Sequence, residues 1–262
     1  MSLLSTGSAD VGSHHGKGDR TDFTVVIAVY NEADNVGFVS DEVLSSLDGS
    51  ASFELIFVDD GSTDDTAARL RALRQVDPRI RLMRLDRRCG KTAALVAGIT
   101  AARGEWIVTM DGDGQNDPAD LLPMIEAARS AQGTASGLAP LVAGVRARRH
   151  DPWSRRIATR VANGFRQAVL KDSCPDTGCG LKAFRRDAFL LLPKFEGMHR
   201  FLPALFQLYG YPLLCHPVSH RQRLAGRSKY TNLGRALVGI GDTLGVVWLR
   251  NRTHLPSRII EE

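Results

Sequence analysis

Four short runs, FTVVIAVY (23–30), FELIFVDD (53–60), RIRLMRL (79–85) and EWIVTMD (105–111), have the length and β-branched content of strands, and most are apolar almost throughout. A strand with no polar face must be covered on both sides. The segments between the runs, such as 64–75 and 90–102, have helical period. A mostly parallel sheet flanked by helices, an α/β fold, satisfies both observations. LAPLVAGVR (138–146) reads as a fifth strand, and a basic helical stretch follows at about 153–171. GCGLKAFRRDAFLLLP reads as a strand entering a short helix that Pro193 ends. With 262 residues, 43% of them apolar, the chain can bury one large core. The expected layout is a disordered tail at 1–21, a catalytic domain at 22–230 and an amphipathic helix with a tail at 231–262.

Three of these runs end in polar residues: Tyr30-Asn31-Glu32, Asp59-Asp60-Gly61-Ser62 and Asp111-Gly112-Asp113-Gly114-Gln115. In an open α/β sheet, ligands bind beyond the carboxyl ends of the strands, so the three ends should meet at one cleft. Asp111 and Asp113 are one glycine apart and repel each other unless a cation lies between them. With the Gln115 carbonyl they offer hard oxygen ligands for Mg²⁺ or Mn²⁺, whose other positions water and a diphosphate would take. Asp117 is read as a helix cap ahead of Pro118. Asp60 at its strand tip, and Glu32 beside the stacking face of Tyr30, could receive a nucleoside; Ser62, Thr63 and Asp64 are also natural helix caps.

The charge is +5 and uneven. Arg148, Arg149, Arg155, Arg156, Arg160 and Arg166 face one acid, Asp151, and no acid lies between Glu196 and Asp242. Such runs suit phosphate or an anionic membrane surface, and by charge alone nucleic acid equally. RRCGKTAAL (87–95) lacks the first glycine of a phosphate loop, since position 85 is Leu, and no G-x-G-x-x-G follows the first strand. Cys89, Cys174, Cys179 and Cys215 show no zinc spacing and read as reduced thiols of a cytoplasmic protein. The N-terminus reads as no signal peptide, and no apolar run reaches the length of a membrane span.

The motifs AVYNEADN, VDDGSTDDT, RRCGKTAAL, MDGDGQNDP, DTGCGLKAFRR and AGRSKY occur in the order and spacing of family 2 glycosyltransferases. Over about residues 23–235 the chain most resembles the polyprenyl-phosphate branch, of the dolichol-phosphate mannosyltransferase type. The resemblance implies a GT-A fold and inverting transfer from a nucleotide-sugar. It puts Ala28, Tyr30, Glu32, Val58 and Asp60 around the nucleoside, and Asp111, Gly112, Asp113 and Gln115 at the metal and diphosphate. Arg146, Arg155, Arg223 and Lys229 match basic positions that handle phosphates, and Lys182 and Arg186 lie beside the DTGCG loop. Ala28 stands where the family usually has Pro, and Cys89-Gly90 departs from its common Asn-Arg-Gly-Lys order.

A hydroxyl acceptor needs a base to deprotonate it, whereas a phosphate monoester is already ionised near neutrality, its second pKa being about 6. Where the resemblance implies a base, the stretch GMHRFLPALFQLYGY has His199 and Arg200 but no Asp or Glu. The acceptor is therefore expected to be a polyprenyl phosphate, oriented by Arg200 and Arg223 while Asp113 and its metal stabilise the leaving group. A hydroxyl acceptor would need a carboxylate brought in by folding, Asp176 or Asp187. A non-catalytic nucleic-acid-binding module is disfavoured by the Asp111-Asp113-Gln115 set. In TNLGRALVGIGDTLGVVWLRNR (231–252), Leu233, Leu237, Ile240, Leu244, Val247 and Trp248 fall near helical spacing. Such a helix suits the inner face of the cell membrane, as a peripheral contact; packing on the domain core or a homo-oligomer contact fits the same pattern.

Overall fold

The computed structural model describes residues 21–49, 52–132, 137–146, 164 and 166–222, and also 232–253, where 232–238 are described by backbone alone. Seven strands form one sheet: β1 (Phe23–Val29), β2 (Phe53–Asp59), β3 (Ile80–Arg84), β4 (Trp106–Asp111), β5 (Leu141–Arg146), β6 (Lys182–Arg185) and β7 (Leu213–Val218). Their spatial order is β3-β2-β1-β4-β6-β5-β7. β1 is parallel to β2 and β4, and β2 to β3. β6 runs antiparallel between β4 and β5, and β7 is parallel to β5. The sheet is thus mostly parallel with one reversed strand.

The helices are α1 (Ala33–Leu47), α2 (Thr66–Val76), α3 (Lys91–Ala101), α4 (Leu121–Ala131), α5 (Arg186–Leu191), α6 (Leu202–Leu208) and α7 (Asn232–Arg252). Residues 164 and 166–170 are also helical, within the basic stretch expected there. In β1, Val25, Ile27 and Val29 join one core with Val36, Val39 and Val43 of α1 and with Met124 and Ile125 of α4. Val26 faces the other way, into a core with Leu95 and Ile99 of α3, Phe189 of α5 and Phe206 of α6. This alternation explains the uninterrupted apolar runs: each strand feeds two hydrophobic layers.

β7 has no counterpart in the strand pattern read from sequence. Its LLCHPV segment is largely exposed and contains Pro217. Proline cannot donate to a ladder and is tolerated at a sheet edge, where β7 lies.

The chain leaves β1 toward β2 and β3, then returns to place β4 on the other side of β1, making a switch point at β1/β4. Ala28 pairs with both Val58 and Asp111, and Val29 with Asp59. The polar ends of the three strands therefore emerge level with one another, at one edge of the sheet.

Candidate active site

The nucleoside corner is built from the loops after β1 and β2. Asn31 adopts φ 52° and is held by its backbone N–H donating to Ser62 Oγ at 2.9 Å. The Glu32 N–H donates to Thr66 Oγ1 at 2.9 Å, and Asn35 Nδ2 donates to Glu32 Oε2 at 2.6 Å. The Arg88 guanidinium lies 4.4 Å from the Tyr30 ring centroid, a cation–π contact on the face expected to stack. Asp60 is buried and accepts from the backbone N–H of Cys89 at 2.7 Å and of Gly90 at 2.9 and 3.0 Å. The aspartate expected to meet a nucleoside thus also anchors the loop entering α3. Val58 is fully buried and Ala28 partly so.

That loop delivers a residue the sequence reading passed over. Lys91, the first residue of α3, is ion-paired through Nζ with Asp111 Oδ1. Burial alone would raise the Asp111 carboxyl; the Lys91 ammonium overrides it and holds the acid below the usual carboxylate range. Burial likewise opposes the charge on Lys91, but Asp111, with help from Asp113, raises it. The signal for it in the sequence is a lysine opening a helix at the same sheet edge as three polar strand ends.

The DGDGQN turn is rigidly supported. The Asp111 N–H donates to Asn116 Oδ1 at 3.0 Å, and the Gln115 N–H to Asp113 Oδ1 at 3.2 Å. The Gln115 backbone oxygen accepts from the Arg221 N–H at 2.8 Å, and Asn116 bridges to His220. Asp117 accepts from the Ala119 N–H at 3.1 Å ahead of Pro118, as a cap should. Among the described residues no three His, Cys, Asp or Glu side chains gather into a metal cluster. The turn can instead offer two hard carboxylates, one already attracting the Lys91 cation. This suits Mg²⁺ or Mn²⁺ completed by water and diphosphate better than an all-protein cage.

Across the reversed strand lies a third corner. Thr109 Oγ1 donates to Gly180 O at 2.7 Å, clamping the 177–180 loop onto β4. A Cβ on Gly180 would come within 2.4 Å of the Asp111 carboxyl, so only glycine permits this approach. Behind the loop, a cavity of about 150 Å³ is lined by Lys91, Thr109, Lys182, His199, Arg200 and Leu202 among others. Burial pushes the Lys182 ammonium below its ordinary value. Burial, reinforced by Lys91, Lys182 and Arg200, pushes His199 well below its own. Gly197 turns the chain into this corner at φ 80°, where a Cβ would meet Arg200 Nη2 at 2.7 Å.

Arg200 does reach the cavity, but its Nη2 is ion-paired with Asp242 of α7. Arg146 is engaged by Asp176, with Nε to Oδ2 and Nη2 to Oδ1 both 2.7 Å. Asp187 is paired with Arg185 at 2.7 Å. Arg186 does not join the site: its guanidinium caps the end of α3, donating to Ile99 O at 3.1 Å and Thr100 O at 2.6 Å. The positive charge beside the DTGCG loop serves a helix terminus there, because α5 begins at that residue and turns it back onto α3. Arg155, Arg223 and Lys229 lie outside the described residues. All four cysteines are free, and burial pushes the Cys174 thiol up to about 12.

A switch-point cleft with an acidic turn, in this sheet order, defines the GT-A class of nucleotide-sugar-dependent transferases. The family described as Glycosyl transferase family 2 matches residues 24–191, and the chain belongs to it. It is 32% identical over 209 residues to an undecaprenyl-phosphate 4-deoxy-4-formamido-L-arabinose transferase of Edwardsiella ictaluri (strain 93-146), covering 79% of this chain and 62% of that protein. A dodecaprenyl-phosphate galacturonate synthase of Rhizobium johnstonii is 33% identical over 241 residues, 90% of this chain and 69% of that one. Both names belong to the polyprenyl-phosphate branch that the motifs resemble. The chain spans 62% of the length of the first of these relatives. Among solved structures, glucosyl-3-phosphoglycerate synthase from Mycobacterium tuberculosis with Mg²⁺ and uridine diphosphate superposes with a TM-score of 0.63, at 20% identity, covering 86% of this chain and 80% of that one. A mannosyltransferase from Pyrobaculum calidifontis in complex with GDP-Man and Mn²⁺ gives 0.60 at 19% identity, covering 91% and 67%. These two likenesses establish the fold.

Proposed function

We propose that the chain is a metal-dependent, inverting glycosyltransferase that moves a sugar from a nucleotide-sugar to a polyprenyl phosphate at the cytoplasmic face of a membrane. The observation that carries this reading is the chemistry of the third corner. It presents Lys182, His199 and Arg200, while three carboxylates of this half have cationic partners: Asp242 has Arg200, Asp176 has Arg146 and Asp187 has Arg185. A phosphate monoester suits such a corner because it needs positioning, not deprotonation.

An acceptor phosphate oxygen attacks the anomeric carbon and forms the new C–O bond. The bond from that carbon to the donor diphosphate breaks, its electron pair leaving with the nucleoside diphosphate. Attack opposite the leaving group inverts the centre, and no proton has to be removed. Asp111, Asp113 and Gln115 would hold a divalent cation, which supplies neutralisation of the charge on the leaving diphosphate. Tyr30, Glu32 and Asp60 bind the nucleoside, and Arg146, Arg155, Arg223 and Lys229 are the remaining phosphate contacts of this reading.

Membrane contact falls to α7. Ile240, Leu244 and Trp248, four residues apart, are 49, 57 and 64% exposed, while Val246 on the opposite side is buried in the core. Arg250 and Arg252 close the helix. An apolar stripe ending in cations suits an anionic bilayer surface. No helix among the described residues is long and apolar enough to cross a membrane.

The test is transfer of labelled sugar from a panel of nucleotide-sugars, with Mg²⁺ or Mn²⁺, into organic-extractable undecaprenyl phosphate. Metal-dependent label in the lipid phase supports the reading. Donor hydrolysis without lipid product refutes the acceptor and turns the search to hydroxyl substrates, with Asp242 as the carboxylate to examine.

A further inference from the structure

We infer that Lys182 and His199 form the seat of the acceptor's phosphate, an inference that rests on the polyprenyl-phosphate reading above and assigns the group within it. Charge around the cavity is unevenly partnered. Of the cations around the cavity, Lys91 is spent on Asp111 and Arg200 on Asp242. Lys182 has no carboxylate partner among the described residues. Its Nζ donates to two backbone oxygens, Thr177 O at 3.2 Å and Cys179 O. The residue is only 4% exposed. Lys91 opposes this buried ammonium, and the Asp111 carboxylate, already paired with Lys91, favours it without contacting it; the two carbonyl acceptors leave one of its three hydrogens for a ligand.

His199 complements it without adding charge. Thr92 Oγ1 accepts from the Gly197 N–H at 3.0 Å and stands 2.8 Å from His199 Nδ1. The proposed seat uses the tautomer in which the threonine hydroxyl donates its hydrogen to Nδ1 and the ring proton rests on Nε2. His199 is then a neutral donor toward the cavity. In this tautomer neither nitrogen is available as a general base, which suits an acceptor that arrives ionised.

The sheet order sets this seat on the opposite side of β4 from the nucleoside corner, adjoining the Asp111 turn through Lys91 and Gly180. The nucleoside corner sits at β1 and β2, and the diphosphate turn at the end of β4. Lys182 opens β6, paired opposite Thr109 on the far side of β4. Its backbone thus lies one strand spacing, about 5 Å, from Thr109, which stands two residues before the Asp111 turn. A sugar held at β4 would have the diphosphate on one side and this cavity on the other. At about 150 Å³ the cavity has room for a phosphate head and is well below the size of a nucleotide pocket.

The test is direct binding of farnesyl phosphate to the full chain, by calorimetry, in wild type, Lys182→Met, His199→Ala and His199→Gln. Nucleoside diphosphate with Mn²⁺ is titrated in parallel. Lys182→Met is expected to weaken farnesyl phosphate about tenfold or more and to leave nucleoside diphosphate affinity within about twofold. His199→Ala should lose more than His199→Gln, which keeps an N–H donor. Inorganic phosphate should compete in wild type and lose that competition in Lys182→Met, whereas farnesol should bind both equally. If Lys182→Met folds, judged by its melting curve, and binds farnesyl phosphate like wild type, the inference is wrong. Should it not fold, an unchanged affinity in His199→Ala has the same force. A parallel loss of nucleoside diphosphate affinity would assign Lys182 to the donor and overturn it too. Wild type that neither binds farnesyl phosphate nor glycosylates undecaprenyl phosphate would instead sink the acceptor class itself.

Discussion

The two sides of the sheet prepare for phosphate-bearing ligands in different ways. On the β3-β2-β1-β4 side, the working residues stand at or just after parallel strand ends and are fixed mostly by short hydrogen bonds between those loops, such as Asn31 to Ser62 and Asp60 to Cys89 and Gly90. On the β6-β5-β7 side, charged residues distant in sequence are brought together in ion pairs: Arg146 with Asp176, and Arg200 with Asp242. The first side takes most of its site from the regularity of the βα unit, with one ion pair, Lys91 to Asp111, added at the turn. The second assembles its site by charge, so disturbing a single pair should matter more to its architecture.

The sharpest way to break the comparison is at the donor turn. Asp113→Ala should lower transfer by about a thousandfold or more, the scale of a lost electrostatic stabiliser, and should weaken Mn²⁺ binding followed by paramagnetic resonance. Its fold should persist, because Asp113 lies in a turn held also by Asn116 and Arg221. Full transfer by this variant would show that the acidic turn is only a helix-capping loop.

On the other side, Asp176→Asn tests architecture. Arg146 and Asp176 have side chains 16% and 8% exposed, and burial opposes the arginine's charge while Asp176 raises its pKa above the ordinary value. Removing the carboxylate strands a guanidinium, at a cost of about 3–5 kcal/mol, measurable by urea unfolding. A loss below about 1 kcal/mol, the size of an exposed pair, would mean that this half does not depend on its ion pairs.

These contrasts also explain what could be read without coordinates. The strands of the first half announce themselves by apolar runs, and their polar tips could be assigned to one cleft because parallel strands point the same way. The same periodicity says nothing about direction, so the reversal of β6 was not legible. Nor was Asp242: it is 42 residues from Arg200, inside a segment whose pattern reports only an amphipathic helix. Arg186 carried the right charge beside the right loop, yet helix geometry sends it to the carbonyls of α3. A basic residue's target depends on which unpaired oxygens folding brings near it.

Packing offers a smaller probe of the regular half. Gly98 of α3 lies against β1 and β2, and an added Cβ would meet Val26 Cγ1 at 2.6 Å and Val58 Cγ2 at 2.8 Å. Neither valine can retreat in a fully buried layer. Gly98→Ala should therefore cost about 1–3 kcal/mol by overpacking, with Arg200-side ligand binding unchanged. A neutral or stabilising result would show that α3 is free to shift, and with it Lys91.

The smallest expected effect is a pH dependence carried by His199. An unfolded histidine titrates at about 6.5, while burial and the surrounding cations hold the folded ring well below that. Between those two values the unfolded chain binds more protons, so stability rises with pH through the window. The contribution is complete above about 6.5 and is lost as pH falls toward the folded value. Wild type should therefore lose more thermal stability than His199→Gln between pH 7 and pH 5.5. Taking the difference between the two proteins cancels the carboxylates that titrate in both. Parallel curves would place His199 in an environment that tolerates its charge, and the ion-pair side would then keep its cations apart by solvent instead of by a neutral ring.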